Sequence, residues 1–289
     1  MPHDASPAPP SPRLHVMIAS AAPVAVIFRR SPSRLVQLIR WHLGDDQIEA
    51  GQWFKGLIHA ARCDLSPSGQ YLIYFAAIHR APYGSWTAIS RPPYLTALAL
   101  WPKGDSRGGG GMFTGEAQVV LDHQPKEMVL AEGFDLPENF RPTSIAAHSG
   151  WTPGDLEERK ALRDGWQVIA EAGLLYPVPG SRPRPFMPMR QHEKPGEDGL
   201  RLRRLRSSFE RGHRTEYAVT DRHGRMILTL PNCDWADWQG GDLLYAQGGA
   251  LYRLRGGSLA QGLAQAEQVH DFNGTQFAPL APPDWATRW

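Results

Sequence analysis

Apolar residues along the first third of the chain fall in short runs broken by turn formers. Val24 to Phe28, Leu35 to His42, Ile48 to Phe54 and Gln70 to Ala76 are each rich in β-branched or aromatic side chains, which predicts strands. Leu43-Gly44-Asp45-Asp46 is turn chemistry, so Leu35 to Phe54 reads as a β-hairpin. A helix over Arg34 to Leu43, with Pro32 in its first turn, is the competing reading.

Further on, the pattern changes period once. Thr152 suits an N-cap with Pro153 at the first helical position, and Leu162, Trp166, Ile169 and Gly173 come after it at helical spacing. This predicts one amphipathic helix over about residues 152–173, ended by Gly173. Pro177 to Gly199 is proline-rich with little apolar periodicity and reads as a surface loop.

A strand-turn-strand phrase recurs. Cys63-Asp64-Leu65-Ser66-Pro67-Ser68-Gly69-Gln70-Tyr71-Leu72-Ile73-Tyr74 returns, one residue longer, as Cys233 to Tyr245, with a fainter echo in Val219 to Leu228. Gln247-Gly248-Gly249-Ala250 is another tight turn, leading into Leu251-Tyr252-Arg253-Leu254. Self-similar units of this kind mark repeat architectures. The phrase resembles the repeat of WD40-like propellers of the TolB family, D-x-S-P-D-G-x-x-L-x-Y/F with an L-Y-x-L strand after it. Asp64 to Gly69 matches with Ser68 where Asp is usual; Asp234 to Tyr245 matches without the Ser-Pro. The resemblance implies an all-β propeller of about four to six four-stranded antiparallel blades. The expected layout is a disordered tail over residues 1–12 and a single propeller domain over 13–289, with the helix and proline-rich loop inserted at about 150–199.

Composition narrows the class. The 29 glycines and 26 prolines make up about 19% of 289 residues, against roughly 12% on average, which excludes a helical bundle. Charges nearly cancel, 31 basic against 29 acidic, so no nucleic-acid or membrane partner is implied by the overall field. Two cysteines are too few for a disulfide framework, and Val16 to Phe28 is too interrupted for a membrane span, so a cytoplasmic protein is expected.

Candidate chemistry is sparse. Gly104-Asp105-Ser106-Arg107-Gly108 fits G-x-S-x-G, but Gly109, Gly110 and Gly111 stand where a nucleophile elbow needs a helix, and no Gly-Lys-Ser/Thr ending makes a P-loop. The 11 histidines show no local metal-ligand spacing, so no metal or cofactor is expected. Arg201, Arg203, Arg204, Arg206, Arg211 and Arg214 form a candidate basic patch on a strand. Trp41, Trp53, Trp86, Trp101, Trp235 and Trp238 are expected in the core, whereas Trp285 and Trp289 suggest a tail that docks on its own chain or on a partner.

These features point first to a non-catalytic scaffold that binds another protein or peptide. A propeller hydrolase or lyase is the alternative, with Asp64, Asp122, Asp221 and Asp234 to inspect in a central channel although no catalytic residue is identified. Nucleic-acid binding through residues 201–214 ranks third.

Overall fold

The computed structural model describes residues 10–31, 34–152, 155–174, 187–209 and 212–289. Residues 1–9 of the expected tail lie outside these, as do residues 175–186, which include the start of the expected loop. The chain is mostly β, built from consecutive antiparallel meanders. The first sheet is β1 (Arg13–Ile18), β2 (Val24–Ser31), β3 (Leu35–His42) and β4 (Gln47–Lys55), in that order. The predicted hairpin is β3–β4, and the competing helix does not form. Fully buried Trp41 donates its indole N–H to Asp46 Oδ1 at 3.0 Å, fastening the turn from within the core.

The second sheet holds β5 (Leu57–Ile58), β6 (Asp64–Leu65), β7 (Leu72–Ala77), β8 (Ser85–Ser90) and β9 (Ala99–Pro102), with β5 and β6 both pairing β7. The third is β10 (Gly111–Phe113), β11 (Gln118–Leu121) and β12 (Arg141–Ser144). The fourth comes after helix α1 (Asp155–Arg163): β13 (Gln167–Leu174), β14 (Met187–Pro195), β15 (Arg201–Phe209), β16 (Gly212–Thr220) and β17 (Met226–Leu230). The fifth is β18 (Cys233–Gln239), β19 (Asp242–Gln247), β20 (Ala250–Leu254) and β21 (Glu267–Asp271). Both copies of the repeated phrase are antiparallel strand-turn-strand units, β6–β7 and β18–β19.

The chain divides into two compact units, Met1–Thr143 with Asp271–Trp289, and Ser144–His270. In the first, Val26, Phe28 and Leu38 pack against Leu72, Tyr74 and Ala76 of β7. The opposite face of β7 presents Ile73 to Phe113, Val119 and Leu121 of the third sheet. In the second unit, Leu202, Tyr217 and Val219 pack against Ala236, Leu243 and Tyr245. Each unit therefore joins neighbouring sheets face to face through apolar side chains.

Two expectations are corrected. The helix stops at Arg163, and Trp166, Ile169 and Gly173 belong to the chain leading into β13 and to β13 itself. Gly165, at φ +88°, closes a Schellman motif in which Gly165 N–H donates to Leu162 O at 3.1 Å and Trp166 N–H to Ala161 O at 2.9 Å. Residues 187–195 of the proline-rich stretch are strand β14, with Pro188 and Pro195 near its ends, where a missing N–H does least harm.

Candidate functional site

Alternation along β14 and β15 divides the predicted arginine patch between two faces of the fourth sheet. On one face, Arg206 pairs with Glu157 of α1, and the Arg204 guanidinium lies 4.5 Å from the centre of the Trp166 ring. His192, opposite Arg204 in register, donates Nε2–H to the Glu158 carboxylate at 3.0 Å, and Arg190 approaches the same carboxylate at 3.4 Å. Burial, and then Arg204, push the His192 pKa below its ordinary value against the pull of Glu158. Its Nδ1 is buried with no hydrogen-bond partner. On the other face, buried Glu193 holds both Arg201 and Arg203, the latter at 3.1 Å. Arg211 lies outside the described residues, and Arg214 sits in β16. The arginines of β15 are thus largely engaged by glutamates and an indole of their own unit.

The glycine run from Gly104 to Gly110 joins strand β9 to strand β10, so no elbow forms around Ser106. Arg62 donates to the carbonyls of Ser106 (2.9 Å) and Gly108 (2.6 Å). The amides a phosphate would need are already engaged: Gly109 N–H donates to Asp122 O and Gly110 N–H to Thr87 Oγ1, each at 2.8 Å. Thr87 Oγ1 in turn lies 2.8 Å from His123 Nε2, and His123 Nδ1 lies 3.1 Å from Glu127 O. A carbonyl only accepts, so Nδ1 carries the proton and the Thr87 hydroxyl donates to Nε2. This hydroxyl–imidazole pair is fully buried and holds the glycine loop.

The four aspartates divide evenly, Asp64 and Asp122 in the first unit and Asp221 and Asp234 in the second. Asp64 is buried and accepts the Phe113 amide at 2.7 Å, tying the second sheet to the third. Asp221 accepts the amides of His223 and Arg225, which close the β16–β17 turn and hold its carboxyl below the usual range. Ser68, the departure from the repeat phrase, gives its amide to Glu116, which also accepts the Ser66 hydroxyl. Among the described residues no cluster of three or more His, Cys, Asp or Glu could hold a metal, and no helix is long and apolar enough to cross a membrane.

In the first unit an open depression of about 500 Å³ is lined by Arg34, Leu35, Lys55, Gly56, Ala77, Ile78 and Arg80. No carboxylate among the described residues pairs with its three cations. Nearby His59 is held below its ordinary pKa by burial and by the positive charge of Arg62, Arg30 and His79. Arg34 and Lys55 meet at the open end of the β3–β4 hairpin, where Leu35 opposes Lys55, whereas nothing in the sequence places Arg80, just after β7, beside them.

The tail tryptophans differ. Trp289 packs at 4.9 Å from the Phe140 ring and donates its indole N–H to Asp135 O at 2.9 Å. Trp285 meets the Tyr94 ring edge-on at 5.4 Å and stays 47% exposed. No protein-family model matches the chain, and no curated protein matches it in sequence.

Proposed function

We propose that the protein is a non-catalytic, cytoplasmic scaffold that binds another protein or peptide, and that its five meanders are blades of a WD40-like, TolB-type propeller. The observation that carries the reading is the succession of five antiparallel sheets in chain order, neighbours within each unit packed face to face. Rigid sheets with irregular connections suit recognition by loops and edges. Nucleic-acid binding through residues 201–214 has less support, because Arg201, Arg203 and Arg206 are paired with glutamates.

The test is purification of the full chain with its associated proteins, then reconstitution of each recovered protein with the purified chain. A stoichiometric complex by size-exclusion chromatography with light scattering is expected. Failure of every recovered protein to rebind would overturn the scaffold reading.

A further inference from the structure

The open depression does not stand alone. Lys55 Nζ lies 4.7 Å from the centre of the Phe277 ring, and Phe277 meets Trp53 edge-on at 5.7 Å. Gln52, on the same strand, donates to Leu280 O at 3.1 Å and accepts the Leu95 amide at 2.7 Å, next to Tyr94 and the Trp285 ring beyond it. A strip of residues linked through β4 and Tyr94 therefore leads from the cations past Phe277 and Leu280 to Trp285, and these three residues are 43%, 41% and 47% exposed. Apolar side chains this large, held out together, mark a recognition surface more than scattered single residues would.

The strip is held in place. Trp53 is packed between Phe277 and the Arg29 guanidinium, 5.5 Å from the ring centre. Buried Arg29 donates to Phe272 O at 3.1 Å and to Thr275 O at 3.2 Å, anchoring the start of the segment. Pro279, Pro282 and Pro283 stiffen the rest of that segment, so little ordering cost remains to be met on binding. The strip also has a direction, with Arg34, Lys55 and Arg80 at one end and Asp284 at the other.

We propose that this surface binds an extended peptide of a partner protein. Its carboxylates would enter the depression between Arg34, Lys55 and Arg80, and its apolar side chains would lie on Phe277, Leu280 and Trp285. The inference rests on the scaffold reading and names the chemistry of its partner. Aromatic anchors supply the contact area, and the cations, which no carboxylate among the described residues pairs, select acidic over basic sequences.

The test is selection of displayed random dodecapeptides on the immobilised full chain, with anisotropy titration of the enriched peptides. Enriched sequences are expected to combine several Asp or Glu with Trp, Phe or Leu. The exposed double change Lys55→Glu/Arg80→Glu should weaken them at least about tenfold with unchanged urea unfolding, and Trp285→Ala should weaken them as well. Enrichment of basic or purely apolar peptides, or affinity indifferent to the charge reversals, would overturn the proposal. So would inorganic pyrophosphate binding lost in the double variant with no acidic peptide enriched, which would mark a small-anion site. A reconstituted partner that binds the double variant unchanged would remove this surface while leaving the scaffold reading intact; no partner at all would remove that reading itself.

Discussion

The Thr87 hydroxyl donates to His123 Nε2 at 2.8 Å while it accepts the amide of Gly110 at 2.8 Å, so one buried oxygen serves a strand, a glycine loop and a histidine. Thr87→Val keeps the shape and removes the oxygen. Two buried polar groups then lose their partner, at about 1–3 kcal/mol for an unsatisfied group. Urea unfolding should show a loss of about 2–6 kcal/mol for the two groups; a neutral change would mean that Arg62 and the hydrogen bonds between the glycine loop and Asp122 hold the loop without Thr87.

Acid should weaken the protein through its histidines. Burial depresses the folded pKa of His123, against the opposing pull of the Glu127 carbonyl and carboxylate. The unfolded chain therefore takes up the proton first. Stability from this group is present in full above an unfolded pKa of about 6.5 and is lost as pH falls through that value toward the folded one. The urea midpoint should drop between about pH 7 and pH 5, and His123→Asn, which cannot protonate, should flatten the slope.

Lys194 and Asp237 form a largely buried pair, Nζ to Oδ1 at 2.6 Å, and burial still pushes the Asp237 pKa above its ordinary value. Lys194→Met strands the carboxylate and should cost about 3–5 kcal/mol near neutral pH. Because the stranded carboxyl protonates more readily, the loss should shrink as pH falls. Adding Asp237→Asn should recover more than half of it, read as a double-mutant cycle in urea.

Trp289→Ala removes ring contacts with Phe140 and Tyr71 and the bond to Asp135 O. About 1–3 kcal/mol should be lost, a range suited to a half-buried indole with one hydrogen bond. Calorimetric melting of the full-length variant measures it; an unchanged Tm would show that the terminal indole contributes nothing to the unit.

Strands with local signals were readable in the residues: β2, β3 and β4 announce themselves through β-branched or aromatic residues and the Gly44-Asp45-Asp46 turn. The repeated phrase located β6–β7 and β18–β19 because its turn chemistry is self-contained. Trp166, Ile169 and Gly173 misled because their spacing suits a helix, whereas Gly165 in the left-handed region ends it just after Leu162 and Arg163. Prolines concealed β14, since composition does not say that Pro188 and Pro195 fall near strand ends. The engagement of the arginines was not legible at all: Glu157 is 49 residues from Arg206, and only tertiary folding brings them together. The predicted hairpin does bring Arg34 beside Lys55, but no motif connects Arg80 to them.

Strand β7 alternates Leu72, Tyr74 and Ala76 toward one core with Ile73 toward another. A slip of one residue would exchange the two sets and place the Tyr74 hydroxyl, which donates to Leu95 O at 2.6 Å, where Ile73 now packs. Neither core can rearrange without disturbing the other through this strand. Its central amides should therefore exchange with solvent only when the whole unit opens, which makes β7 the keystone of that unit's cooperativity.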